Sequence, residues 1–242
     1  MTEGGADDVT RLPGELFFRP LRTRNLFEET VARLGQAIKL GAVPVGERLP
    51  TERELHEQLG VSRITIREAL RALEEAGFVE IRRGRNGGAY VLRNDEPEPG
   101  PEERATPAEL QAEIDFRRAI EPTIAELAAE RRDEEMLARA TELLAASEGV
   151  PPTAYRAADS RFHLALAAMA RSPRLAAAAA DVQLRHTEIV AARGLILEES
   201  MRHSHHQHRK ILDAIRASDA AGAREAMLEH LEASALIFRS LY

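Results

Sequence analysis

Residues 48–92 read RLPTERELHEQLGVSRITIREALRALEEAGFVEIRRGRNGGAYVL. Leu49 and Pro50 end an extended approach, and Thr51 stands three residues before Glu54, the spacing at which a hydroxyl and a carboxylate cap a helix reciprocally. The first helix therefore runs from about Glu52 to Leu59. Gly60 tolerates the positive φ that a sharp helix end needs, and Val61 packs back onto Leu55 and Leu59. Ser62 caps the next helix. Ile66, Leu70 and Leu73 recur at i, i+4 and i+7 and give that helix one apolar face, opposite Arg63, Thr65, Arg67 and Arg71.

Gly77 ends the second helix. Phe78-Val79-Glu80-Ile81 then alternates as a strand, and Ala89-Tyr90-Val91-Leu92 is its antiparallel partner. Between them lies Arg82-Arg83-Gly84-Arg85-Asn86-Gly87-Gly88, a basic, glycine-rich loop suited to lie along a groove and touch phosphates. A helix-turn-helix hairpin alone occurs in many proteins, and an arginine-rich loop is commonly a solvated surface. In this order they describe a winged helix-turn-helix, a reader of duplex DNA, with the second helix presenting its N-terminal residues to base edges.

Upstream, residues 25–40 read as an amphipathic helix with Leu26, Val31, Leu34 and Ile38 inward, completing a three-helix unit. Residues 19–93 contain fourteen Arg or Lys against ten Asp or Glu, a local excess of positive charge in a chain whose total is −7. The basic part is the DNA-facing part and the remainder is acidic. At 242 residues the chain has room for two cores. It contains no cysteine, which excludes disulfides and thiolate metal sites and suits a reducing cytoplasm. No signal peptide and no apolar run long enough to span a bilayer is present, so a cytoplasmic protein without membrane contact is expected.

The acidic, proline-rich run at 94–105 reads as an extended linker, and residues 1–18 as a flexible tail. This divides the chain into a DNA-binding domain at 19–93 and a C-terminal domain at 106–242. The latter is alanine- and leucine-rich with no alternating β pattern, predicting helices near 107–131, 133–147, 153–170, 173–193, 196–217 and 219–240. The fold class is thus mainly α, with an antiparallel bundle of six helices, or seven if one is broken, behind the winged unit.

Seven of the eight histidines lie in that second half. Asp159 and His163 are i, i+4 and face the same way on one helix. His208 and His230 lie on successive helices whose turn falls at Ala217-Ser218-Asp219, and residue 219 is their midpoint, so an antiparallel hairpin brings the two imidazoles level. One carboxylate and three imidazoles can converge inside the bundle, a set suited to zinc, nickel or manganese. The plain alternative is a capping or surface acid and polar-face histidines, with His203, His205, His206 and His208 merely a cluster. His186 and His205 rank below the other ligands.

The segment from Pro44 to Val91 resembles the DNA-binding domain of GntR-type bacterial transcription regulators. The resemblance implies operator contacts by Arg53, Arg63, Thr65, Arg67 and the Arg83-Gly84 wing tip. Ser62 joins this set as the cap of the recognition helix. The residue after Arg63 is often threonine in that family, and here it is Ile64. Asp159-x3-His163, with His208 and His230 in their contexts Gln207-His208-x2-Ile211-Leu212 and Met227-x2-His230-Leu231, is similar to the metal-binding pattern of the FCD effector domain of the FadR subfamily. That likeness implies an effector-binding, dimerising bundle holding a divalent metal, with zinc first and nickel or manganese as alternatives.

Open metal positions can receive a small carboxylate or hydroxycarboxylate, and an arginine can grip both of its oxygens. Arg117 lies where the FCD pattern has an arginine, four residues before Glu121; a helix-surface ion pair between the two is the competing reading. Arg161 and Arg185 are further candidates. Two other functions remain compatible with the residues. One is a metal-dependent hydrolase using Glu121 or Glu188 as base; the other is an effector-independent DNA-binding protein, which leaves the histidine geometry unexplained. The expectation is a homodimeric repressor on a near-palindromic operator, without catalytic residues.

Overall fold

A computed structural model describes residues 26–84, 87–93, 106–191 and 198–240. The N-terminal unit contains α1 (Leu26–Lys39), α2 (Glu52–Leu59), α3 (Arg63–Glu75), β1 (Val79–Arg82) and β2 (Gly88–Val91). The hydroxyl of Thr51 accepts from the Glu54 amide while the Glu54 carboxylate accepts from the Thr51 amide, which is the reciprocal cap expected for α2. Gly60 closes that helix at φ 67°, where a side chain would be strained. Ser62 then accepts from the Thr65 amide to start α3.

Helix α3 buries Ile66, Ala69, Leu70 and Leu73 against Leu34 and Ile38 of α1, Leu55 of α2, and Val79 and Val91 of the hairpin. The hairpin pairs Val79 with Val91 and Arg82 with Gly88, which keeps both valines on the core side. Two features depart from the sequence reading. Leu26 is 63% exposed, because the buried stripe of α1 begins only at Thr30, one turn after the helix's first residue. Residues 46–49 also form a second, short partner to β2: the amides of Gly46 and Leu49 donate to the carbonyls of Val91 and Ala89, and the Val91 amide donates to that of Glu47.

Among the described residues, six helices make up the second unit: α4 (Pro107–Arg131), α5 (Glu134–Ala146), α6 (Pro152–Met169), α7 (Pro173–Ala191), α8 (Glu198–Arg216) and α9 (Ala220–Ser240). Helix α4 runs continuously through Pro122. Thr106 caps it with a second reciprocal box on Glu109. The bundle core is built from Ile124, Leu137, Leu144, Phe162, Leu166, Met169, Ile211, Ile215, Met227 and Leu231. It is a separate cluster from that of the winged unit. The architecture is therefore mainly α, a winged helix-turn-helix followed by an antiparallel helical bundle.

The two units touch where the turn after α1 meets α6. Gly41, at φ 64°, lies so close that a Cβ there would stand 3.0 Å from the Cβ of Ala157. The tail proposed at 1–18 and the linker at 94–105 fall outside the described residues. Among the described residues, no helix is long and apolar enough to cross a membrane.

Candidate metal centre and DNA-reading face

Helix α6 carries Asp159 and His163 one turn apart on its inward side, and the α8–α9 hairpin supplies His208 and His230. That hairpin reverses at Ala217–Asp219, so the two histidines are level: their Nε2 atoms are 3.3 Å apart. The ring of His163 lies 5.1 Å from that of His208 and 5.3 Å from that of His230, centroid to centroid. The three rings offer ligand atoms within 4.8 Å of one another, and all three are buried. Asp159 stands at the edge of the group, one carboxylate oxygen 3.6 Å from His208 Nε2.

Each ring is held in orientation by a different neighbour. His163 Nδ1 faces Glu121 Oε2 at 2.7 Å, leaving its buried Nε2 with no hydrogen-bond partner among the described residues. His230 Nδ1 lies 3.1 Å from Gln207 Oε1 and donates to that amide oxygen, so its Nε2 carries the lone pair. His208 stacks on Phe162 with centroids 4.6 Å apart. A carboxylate or amide behind an imidazole is the arrangement that fixes the tautomer and raises the basicity of a metal ligand.

Electrostatics favour the ligating state in two of the three rings. Burial, reinforced by neighbouring imidazoles, pushes His208 and His230 well below the ordinary histidine pKa, so both present neutral, ligating nitrogens. Burial opposes charge on His163 as well, but the Glu121 carboxylate outweighs it and moves this pKa upward. Burial alone would raise Glu121, yet Arg117 and His163 hold it ionised, far below the usual carboxylate range. Burial raises Asp159, against the pull of His163 and Arg117.

The donor set fits a borderline divalent ion. Two nitrogens at about 2.1 Å from one metal are separated by about 3.0–3.4 Å for angles between octahedral and tetrahedral, which matches the His208–His230 spacing. An orphaned His163 Nε2 turned toward the same group is what a missing ligand bond leaves behind.

Beside this cluster lies a narrow cleft lined by Glu113, Ile114 and Arg117 of α4, His186 of α7, and Leu231 and Ser234 of α9, with a free volume of about 10 Å³. Arg117 forms its ion pair with Glu121 as the i, i+4 spacing suggested, but in the interior: the side chains are 5% and 3% exposed and Nε is 2.6 Å from Oε1. The guanidinium also lies 2.8 Å from His186 Nδ1. Burial raises the Glu113 carboxyl.

On the winged unit, Arg53, Ser62, Arg63 and Arg67 are exposed, as are Arg83 and Gly84 at the end of β1. Thr65 is half-buried, its hydroxyl 2.9 Å from that of Ser62. Arg67 grips Glu52 with two hydrogen bonds of 3.1 and 2.8 Å, and Arg63 lies 3.7 Å from the same carboxylate. Arg53 pairs with Glu57 at 3.1 Å.

Residues 26–91 match the model described as bacterial regulatory proteins, gntR family, and residues 113–233 match the FCD domain. The chain belongs to the GntR family. It is 34% identical over 220 residues to a putative HTH-type transcriptional regulator, RmpR, of Mycobacterium gastri, covering 88% of this chain and 80% of that protein. It is likewise 34% identical over 232 residues to the Uxu operon regulator of Haemophilus influenzae, covering 86% and 81%. Among solved structures, Escherichia coli McbR/YncC shares the fold with a TM-score of 0.54 at 22% identity, covering 90% of this chain and 98% of that one. This GntR protein is therefore a DNA-binding transcription regulator and not an enzyme.

The structure gathers His163, His208 and His230, with Asp159 adjoining, and brings Arg117 and His186 to the cleft beside them. It places Arg161 elsewhere, half-buried on the flank of α6 that faces Arg139 of α5. Arg185 is exposed, within electrostatic reach of Glu109 and Glu113. His205 sits against Ser147 and Glu148 rather than in the cluster. The side chain of Glu188 lies outside the described residues. Glu121, weighed in the sequence as a base, and Gln207, named only as context, emerge as the groups that aim His163 and His230. The i, i+4 spacing of Arg117 and Glu121 was a visible signal of a pair, but nothing local pointed across to α6.

Proposed function

We propose that this regulator is a homodimeric repressor whose operator affinity is set by a small carboxylate bound beside a divalent metal in the FCD bundle, zinc first, nickel or manganese as alternatives. Asp159, His163, His208 and His230 would hold the ion, which supplies a Lewis-acidic seat for a carboxylate or hydroxycarboxylate. Arg117 would face the second carboxylate oxygen, with Glu121 and His186 setting its position. Arg161 and Arg185 have weaker claims to that role, given where they lie. Ser62, Arg63, Thr65 and Arg67 of α3, Arg53 of α2 and the Arg83-Gly84 wing would contact the operator. The observation that carries this reading is the convergence of three buried imidazoles, two of them oriented by Glu121 and Gln207, in a bundle whose family couples sensing to DNA binding.

Metal content measured on purified protein, and on His208→Ala combined with His230→Ala, tests the centre. Stoichiometric metal in the wild type and its loss in the double variant are expected. A wild-type protein that neither carries nor takes up zinc, nickel or manganese refutes the assignment. A thermal-shift screen of small carboxylates on the metal-loaded protein, coupled to operator binding, tests the effector: a hit must both stabilise the protein and weaken DNA binding.

A further inference from the structure

Ile64 is a large aliphatic side chain that the fold leaves in water. It is 68% exposed, the largest such value among the large hydrophobics described, while its neighbour Ile66 is fully buried in the winged core. Its position is specific. Ile64 is the second residue of α3, directly after Arg63 and in the turn capped by Ser62. Three residues on stands Arg67, so the two side chains are surface neighbours. Arg63 and Arg67 are both more than half exposed on the same stretch of helix.

Nothing in the fold accounts for an isoleucine here. It joins no core cluster. A β-branched residue in a helix restricts its own rotamers and brings no propensity advantage over alanine. The site is also the end of a recognition helix that a helix-turn-helix directs at base edges. In the major groove one group distinguishes a pyrimidine by apolar contact, the methyl on C5. A branched aliphatic side chain between two arginines offers that methyl a dry contact while the guanidinium groups reach purine acceptors or phosphates. A small polar residue at the same place would leave the methyl in water.

We propose that Ile64 is a specificity-determining residue that reads the C5 methyl of a thymine in the operator. The chemistry recognised is a 5-methylpyrimidine, and thymine is its ordinary source in a duplex. Burying the exposed end of Ile64 against one methyl removes the apolar surface of about one CH₂ group, so loss of that methyl should weaken binding about three- to tenfold.

The test starts from duplexes enriched by the full-length protein out of a randomised pool. In an enriched duplex each thymine is replaced in turn by deoxyuridine, which deletes only the methyl. Wild-type protein should lose about three- to tenfold at one thymine position of a half-site and be indifferent elsewhere. In Ile64→Ala that position should become insensitive to the exchange, whereas Ile64→Val should keep a reduced sensitivity. Because Ile64 is exposed, both variants should melt with the wild type. At the sensitive position, 5-methylcytosine paired with guanine should bind better than cytosine if the methyl itself is read. Uracil equal to thymine at every position, or a penalty that persists unchanged in Ile64→Ala, overturns the proposal. So does a wild-type protein that enriches no sequence, since then no base is read.

Discussion

Glu121 is the residue on which the bundle's stability and its proposed metal centre should separate experimentally. One carboxylate accepts from Arg117 Nε and lies 2.7 Å from His163 Nδ1, all within the protein interior. Glu121→Gln keeps the shape but has only one accepting oxygen, so its NH₂ must face one of the two donors. It also removes the counter-charge of Arg117, and breaking a buried pair from one side costs about 3–5 kcal/mol. His163 would lose the carboxylate that aims its Nε2, a change that lowers metal affinity about 10- to 100-fold, or about 1.4–2.8 kcal/mol. Chelator-treated protein should therefore unfold at lower urea, and a zinc titration against a competing chelator should show weaker binding. Adding Arg117→Met to Glu121→Gln removes the stranded charge. The double variant should recover most of the stability but not the affinity. Wild-type zinc affinity in Glu121→Gln, or recovery of affinity in the double variant, would refute a positioning role for this carboxylate.

Two further outcomes concern pH and DNA. Burial depresses His186, His208 and His230, so the unfolded chain takes up protons near pH 6.5 that the metal-free folded state refuses. His163 shifts the other way and is protonated in both states below that point, contributing no opposing slope there. Stability of the metal-free protein should therefore fall as pH drops below about 6.5, by up to roughly 1.4 kcal/mol per pH unit for each of the three; urea unfolding at pH 7.5, 6.5 and 5.5 checks this, and a flat profile would show these rings are not buried neutral. On the reading face, Glu52 holds Arg67 and Arg63, and both hold it below the usual carboxylate range. Glu52→Gln should bind random duplex about two- to fivefold more tightly at low salt and discriminate less between an enriched site and random DNA, because two arginines are released to phosphates; unchanged binding to random DNA in a fluorescence-anisotropy titration would count against that competition.

How much of this was legible depended on how local the determinants were. Thr51 with Glu54, Gly60 and Ser62 specify their helix ends within four residues of sequence, and the structure reproduces those caps. The His208–His230 juxtaposition was equally readable, because a short turn centred near residue 219 converts equal spacing into equal height. Leu26 misled because periodicity locates a stripe but not where the neighbouring helix begins. The pairing of residues 46–49 with β2 spans some forty residues, and only tertiary structure supplies the partner. Arg117 and Glu121 posed the same difficulty: an i, i+4 ion pair is normally a surface feature. Their burial is decided by α7 and by His163 of α6, neither of which is encoded near residue 117.

The contact of Gly41 with Ala157 gives the two halves a shared fulcrum. Ala157 precedes Asp159 by two residues on α6, and Gly41 follows α1, the helix that braces α3. A tilt of α6 would press on that turn directly, because the bare backbone of Gly41 faces the Ala157 methyl with no flexible side chain between them to absorb it. A bulkier side chain at 41 would meet Ala157 and hold the turn after α1 and helix α6 apart like a wedge.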